Sequence, residues 1–264
     1  MTHRAPWHES MEATADPPLP TSWAFGPYRK GQGGEADHYR LRYACQALKD
    51  VLYDDFGYTS IDTSNSKLGN AADAAIRDFQ GTHGLVVDGE AGAKTCFALF
   101  TEVIFDAEDQ FGVPGHWLAS HGYWESGAFD PGAELVNGDG SRDRGLFQDN
   151  DLHGPYTLTD AQAFDPHITI PRRANAMSVF ALARIGKYCT INDAGILRKF
   201  WAWPIAVSSF RAPRGAQELC EEGDTPVDPV RPFDQPGYPD DINWEQACAY
   251  YILRIRGVKR ALFQ

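Results

Sequence analysis

Two carboxylates in unlike sequence contexts, Glu125 and Asp143, are the residues of this chain best suited to chemistry. Glu125 follows an apolar, helix-like run and precedes Ser126-Gly127, a pattern that predicts the end of a helix. Asp143 follows Asp139-Gly140, a dipeptide typical of a hairpin turn. A carboxylic acid that donates its proton, opposite a carboxylate that stays ionised, can cleave a glycosidic bond. We therefore predict that both are catalytic, with Asp139 as a rival second carboxylate or a substrate contact.

Polar and aromatic residues downstream of the hairpin are candidates for binding a sugar. Gln148 and Asn150 are predicted to form hydrogen bonds with acetamido groups, and turn capping is the alternative. Trp201 and Trp203 lie in an aromatic-dense run and are predicted to stack on pyranose rings. The alternative for both tryptophans is the hydrophobic core, because a Trp side chain buries a large area wherever it packs.

The helix that carries Glu125 is predicted to begin near Pro114, since proline suits the first turn of a helix. Its apolar face contains Trp117, Leu118, His121 and Trp124. A carboxyl group at the end of such a helix loses part of its water shell. That loss favours the protonated acid, which is the form that a general acid needs.

The C-terminal half contains further predicted elements. Residues 170–187 predict a helix that begins at Pro171, and we expect it to be buried because the run is apolar almost all round. The Pro-rich, acidic run 220–241 predicts a long loop. Residues 243–257 predict a final helix.

Residues 25–100 predict a small module of three helices, the first with apolar residues at helical spacing: Leu41, Cys45, Leu48, Val51 and Leu52. The second helix is predicted over 71–79 and the third over 93–100, with a turn at 84–89 between them. We expect 1–24 to be a tail, 101–113 a short helical connector and 114–264 a second domain. The predicted fold class is mainly α, an α+β arrangement with one short β-hairpin.

Composition argues against several classes of function. A formal net charge of −12 argues against nucleic acid as a partner, because that partner attracts a basic surface. The sequence has no run of about 18 apolar residues, so no membrane span is expected. His-Glu-x-x-His and clustered His and Cys motifs are missing from it. We therefore predict neither a metal nor another cofactor.

The five cysteines are odd in number and widely spaced, at Cys45, Cys96, Cys189, Cys220 and Cys248. Buried free thiols, made in a reducing compartment, are the expected state, and a Cys45–Cys96 pair is the alternative. The first twenty residues have no apolar segment typical of a secretory signal. Any passage out of the cell is therefore expected to need another route.

The stretch from Glu125 to Gln148 resembles the catalytic core of the lysozyme superfamily. Glu125-Ser126-Gly127 and Gly145-Leu146-Phe147-Gln148 are similar to the Glu-Ser-Gly and Gly-Leu-x-Gln motifs of soluble lytic transglycosylases and phage lysozyme-like domains. The residues between them resemble the Asn-x-Asp-Gly-Ser-x-Asp-x-Gly pattern of animal c-type lysozymes, with Arg144 where that family has an aromatic residue. The resemblance implies that Glu125 is the general acid and Asp143 the second carboxylate.

The run from Leu68 to Thr95 resembles a peptidoglycan-binding domain of the three-helix type. Its residues follow the family pattern Phe-Gln-x-x-x-Gly-Leu, then Asp-Gly and Thr, at Phe79-Gln80, Gly84-Leu85, Asp88-Gly89 and Thr95. The implied ligand is the glycan or the stem peptide of the bacterial cell wall. A helical packing module without a ligand is the alternative.

Together the two resemblances imply a modular wall-degrading enzyme similar to phage endolysins. As a muramidase it would cleave the β-1,4 bond between N-acetylmuramic acid and N-acetylglucosamine. A lytic transglycosylase that gives 1,6-anhydromuramyl products is the first alternative, and a wall-binding or structural protein without activity is the second. We expect a monomer that is made in the host cytoplasm and acts on the bacterial wall after release.

Overall fold

The computed structural model of the chain describes residues 23, 25–152 and 157–180. This part of the chain contains six helices and one three-stranded antiparallel sheet, which confirms the mainly α fold class. The described residues divide between two compact units. The first unit contains residues 23, 25–106, 122–152 and 157–172, and the second contains 107–121 and 173–180.

The three predicted N-terminal helices are present as α1 (Tyr39–Asp54), α2 (Asn70–Thr82) and α3 (Ala93–Phe111). The apolar face of α1 is buried as its spacing predicts, and Phe79 of α2 is fully buried. The third helix differs from the prediction because it continues through the expected connector to Phe111. Its apolar residues Val103 and Ile104 are buried, so the helical pattern has no reason to stop at residue 100.

The predicted hairpin is confirmed. Helix α4 (Gly115–Glu125) precedes strands β1 (Glu134–Val136), β2 (Arg142–Arg144) and β3 (Asp149–Asn150), which pair in the order β1-β2-β3. Leu135 of β1 lies opposite Asp143 of β2. The third strand was not predicted, since two residues are too short for a periodic signal. Trp124, on the predicted apolar face of α4, is 37% exposed, whereas Trp117, Leu118 and His121 are buried.

Helices α5 (Asp160–Ala163) and α6 (Pro166–Phe180) follow the sheet. The prediction that Pro171 begins a helix is wrong, because α6 begins at Pro166 and Pro171 lies inside it. Asp165 accounts for the earlier start, since its carboxylate accepts a hydrogen bond from the His167 N–H at 2.9 Å. The prediction that this helix is buried is also wrong for its described residues, because Ala176 and Val179 are exposed.

The core of the first unit joins the three-helix module to the residues that follow Glu125. The ring of Phe97 on α3 lies 5.2 Å from the ring of Phe129, and Tyr43 on α1 stacks on Phe164 at 5.8 Å. Residues 122–172 therefore share one core with the module. The boundaries expected at residues 100 and 114 remain a prediction.

Several predicted features lie outside the described residues. They are the N-terminal tail up to residue 22, Trp201 and Trp203, the acidic run 220–241, the final helix and three of the cysteines. The other two, Cys45 and Cys96, are buried free thiols, which confirms the expected state and excludes the Cys45–Cys96 pair. Burial raises the pKa of the Cys45 thiol to about 12.

Candidate functional site

Glu125 is the last residue of α4, as predicted, and it is half-buried. Gly122, about one turn earlier, approaches Phe147 in the turn between β2 and β3. A Cβ atom at Gly122 would lie 3.3 Å from Phe147 Cε1, a close approach that favours glycine. The helix end that carries Glu125 therefore packs directly on the turn formed by residues 145–148.

The backbone after Glu125 has an unusual conformation. Gly127, Ala128 and Phe129 have positive φ angles of 64°, 75° and 63°. Only glycine adopts such angles freely, so Ala128 and Phe129 each hold strain on the order of 1 kcal/mol or more. Their fully buried side chains and a 2.9 Å hydrogen bond from Trp23 Nε1 to the Gly127 carbonyl maintain this conformation. These contacts therefore hold the backbone turn that directly follows the end of α4.

The two candidates for the second carboxylate are joined by a chain of hydrogen bonds. Asp139 Oδ1 accepts bonds from the N–H and the hydroxyl of Ser141, at 2.9 and 2.7 Å. Asn150 Nδ2 donates to Ser141 Oγ at 3.0 Å and to Asp143 Oδ1 at 2.7 Å. The Asp139 side chain thus closes a turn by accepting from the backbone two residues further on. By contrast, Asp143 Oδ2 forms no hydrogen bond with the described residues, which makes Asp143 the better candidate for contact with a ligand.

Gln148 and Asn150 form hydrogen bonds of the turn-capping kind. Gln148 has a φ of 52°, and its Nε2 donates to the Gly145 carbonyl at 2.9 Å. The Asn150 side chain donates through Nδ2 and accepts from the Leu152 N–H at 2.9 Å. The arrangement brings Asn150 to Asp143, while Gln148 turns back on its own loop. Binding of acetamido groups by either residue remains a prediction.

The arginine that follows Asp143 has a structural role. Arg144 is 1% exposed, forms an ion pair with Asp160 and donates to the Leu158 carbonyl at 3.0 Å. Arg142, on the other side of Asp143, pairs with Asp160 at 3.1 Å. A buried guanidinium group needs such partners to offset its lost hydration. Arg144 therefore ties the sheet to α5, which is a structural reason for an arginine at this position.

One buried acid was not predicted from the sequence. Asp130 is 3% exposed and accepts hydrogen bonds from the Tyr28 hydroxyl and, at 2.9 Å, from the Gly132 N–H. Burial raises the pKa of Asp130, and the bond from Tyr28 opposes that shift. Burial and the neighbouring Asp130 raise the pKa of Tyr28. The only local sequence signal was a turn at Asp-Pro-Gly, which says nothing about a partner 102 positions away.

The polar motif residues of the three-helix module bond to one another. Gln80 is 1% exposed, and its Nε2 donates to Asp88 Oδ1 at 2.8 Å and to the Glu90 carbonyl at 3.0 Å. Its Oε1 accepts from the N–H groups of Asp88 and Gly89, at 3.2 and 2.9 Å. Thr95 Oγ1 lies 3.3 Å from the same Nε2. The buried amide is thereby fully satisfied, and it fixes the loop between α2 and α3.

Residues 45–99 match a family model described as a putative peptidoglycan binding domain. The matched range contains most of α1, all of α2 and the beginning of α3, with the Gln80 hydrogen bonds at its centre. This match confirms the predicted peptidoglycan-binding module. The chain matched no curated protein.

Two further features of the described residues bear on partners. No helix among them combines the length and the apolar character that crossing a membrane requires. The same residues contain no group of His, Cys, Asp and Glu side chains arranged to hold a metal ion.

Proposed function

We propose that this chain is a wall hydrolase of the endolysin type, a muramidase with Glu125 as its general acid. Residues 45–99 hold it on peptidoglycan, which raises the local concentration of substrate. The observation that supports the proposal most is the packing of the Glu125 helix end on the turn at residues 145–148. That packing joins the two stretches on which the lysozyme resemblance rests.

In the proposed reaction, Glu125 protonates the glycosidic oxygen between N-acetylmuramic acid and N-acetylglucosamine as the bond breaks. Glu125 is half-buried at the end of α4, beside the turn at residues 145–148. Asp143 Oδ2 stabilises the positive charge at the anomeric carbon, or bonds to that carbon. Glu125 then takes a proton from water, whose oxygen completes the hydrolysis.

A lytic transglycosylase is the second candidate, and the 2.7 Å hydrogen bond from Asn150 to Asp143 favours it. That bond explains the aspartate at position 143 by a structural role, so a catalytic role for it is not required. Glu125 would then act alone, first as acid and then as base, while the muramyl 6-hydroxyl attacks. The products would carry 1,6-anhydromuramyl ends in place of reducing ends.

The decisive experiment measures the release of soluble fragments from purified peptidoglycan. We expect Glu125→Gln to lower the rate at least about a hundredfold, because it removes the proton donor. Glu102→Gln, at a half-buried position of α3, is the matched control and should be fully active. Mass spectrometry of the fragment ends separates hydrolase from transglycosylase. Full activity of Glu125→Gln would exclude Glu125 as the acid, and no release by wild type would indicate a binding protein without activity.

Three further expectations belong to the same proposal. We expect the catalytic part within residues 114–264 and the wall-binding part within residues 25–100. The protein acts as a monomer. It is made in the cytoplasm of the host cell and reaches the wall after release. A fluorescent fusion that stays in the cytoplasm throughout lysis would contradict the last expectation.

A further inference from the structure

A pocket of about 540 Å³ opens on the three-helix module. It lies between the segment before α1, the loop that joins α1 to α2, and the first turn of α2. A pocket of this volume can hold a small molecule or a few residues of a peptide. Lys30, Lys49 and Lys67 all line it, and we call it the lysine pocket.

Two of these lysines have no partner within the described residues. Lys30 and Lys67 are exposed, and their ammonium groups form neither an ion pair nor a side-chain hydrogen bond there. The whole chain has a net charge of −12, whereas three lysines and one aspartate line the pocket. The local charge of the pocket is therefore opposite in sign to the charge of the chain. Such a local field attracts an anionic ligand.

The third lysine is buried. Lys49 is 2% exposed, and its Nζ donates to the carbonyl groups of Asn65 and, at 3.3 Å, Lys67. It forms no ion pair with a described carboxylate. Burial lowers the pKa of Lys49, which reflects the cost of removing an ammonium group from water. An anion in the pocket would offset that cost.

The rest of the lining is consistent with a carboxylate ligand. Asp62 is its single carboxylate, and this group already accepts hydrogen bonds from Ser64 and Asn65, at 2.6 Å each. Gly69 caps α2 without a side-chain bond, so the first N–H groups of α2 remain as donors beside the lysines. Leu68 and other buried apolar side chains complete the lining.

We propose that the lysine pocket binds the free carboxylates of the peptidoglycan stem peptide, an inference that rests on the proposed wall-binding function. Ammonium and N–H groups recognise carboxylates through charge-assisted hydrogen bonds. The apolar part of the lining suits the methyl groups of the alanine residues in the stem. The module thus binds the peptide, while the segment around Glu125 acts on the glycan.

The test uses isothermal titration of the full chain with a synthetic stem tetrapeptide, L-Ala-γ-D-Glu-L-Lys-D-Ala, and with the same peptide fully carboxamidated. We expect the amidated peptide to bind at least about tenfold more weakly. Lys30→Gln and Lys67→Gln should each weaken binding of the free acid by roughly three- to tenfold. Arg42→Gln, which removes an exposed cation of α1 outside the pocket, should leave the affinity unchanged.

Equal binding of the two peptides, including no binding of either, would overturn the inference. So would unchanged affinity in both lysine variants, or tighter binding of inorganic phosphate than of the free tetrapeptide. Co-sedimentation with purified peptidoglycan tests the proposed function separately. If the wild type sediments with the wall but does not bind the tetrapeptide, the inference about the lysine pocket is wrong and the proposed wall binding stands. Failure to sediment would contradict wall binding itself.

Discussion

The sequence motif of the three-helix module and that of the hairpin each fix a loop. They differ in whether they contain polar groups that remain available to a ligand. In the module, Gln80 bonds to Asp88 and Thr95, so the fold uses the polar side chains of the motif. The proposed ligand-binding lysines lie outside it. In the hairpin, Asp139 closes a turn, while Asp143 keeps one carboxylate oxygen unbonded among the described residues. Motif residues therefore stabilise the backbone conformation in both regions. We expect ligand contacts from polar groups that form no bond within the fold.

The largest expected effect concerns the glycine of the hairpin motif. In Gly145→Ala, the new Cβ would lie 2.0 Å from the Ala163 carbonyl oxygen, at a φ of 72°. We expect a loss of about 3–5 kcal/mol in the free energy of unfolding. Gly138→Ala is the control, since its Cβ would meet no atom within 4 Å, and it should cost less than about 1 kcal/mol. Equal urea midpoints for the two variants would show that this motif does not fix its loop.

The second prediction tests the motif of the module. Gln80→Met removes the amide that satisfies the buried loop between α2 and α3, and it leaves the Gly89 N–H unpaired, whereas the Asp88 N–H keeps its bond to the Val86 carbonyl. We expect a loss of roughly 2–4 kcal/mol. Gln110→Met, at an exposed position of α3, should be nearly neutral in the same denaturation assay. A neutral Gln80→Met would mean that the motif glutamine serves a ligand and not the fold.

The third prediction separates the two aspartates of the hairpin. If the chain is a hydrolase, Asp143→Asn should lower fragment release about 30- to 100-fold, while Asp139→Asn should cost less than about fivefold. The reason is that Asp143 Oδ2 is available to a ligand, whereas Asp139 Oδ1 holds Ser141. Circular dichroism checks that both variants are folded. Full activity in Asp143→Asn would favour the transglycosylase, and a larger loss in Asp139→Asn would exchange their roles.

The sequence predicted local structure well, because local structure depends on spacing. Helical periodicity located α1 and α2, the Gly signals located the turns, and Asp139-Gly140 located the hairpin. The sequence-based prediction was wrong at a residue that is compatible with two positions in a helix. Pro171 is compatible with a helix start, but the capping bonds of Asp165 begin α6 earlier.

Long-range pairing could not be predicted, since no local signal encodes it. Asp130 and Tyr28 are 102 positions apart, and Arg144 and Asp160 are 16 positions apart and on different elements. The lysine pocket was missed for the same reason, because its three lysines come from separate segments. Glu125 could be placed at a helix end from sequence, but its packing on the turn at 145–148 required the structure.

The smallest expected effect concerns an ion pair between the three-helix module and α6, the helix that follows the hairpin and α5. His167, at the start of α6, lies 2.8 Å from Asp55 beyond the end of α1, and the neighbouring carboxylates of Asp165 and Asp55 raise the pKa of its imidazole to about 10. Because the folded pKa exceeds the unfolded value of about 6.5, the stabilisation is complete below pH 6.5 and is lost as the pH rises towards 10. Screening limits its size to about 1 kcal/mol. Thermal melts at pH 6 and 9.5 should therefore differ more for wild type than for His167→Gln, and parallel shifts would show that this ion pair does not stabilise the contact between α1 and α6.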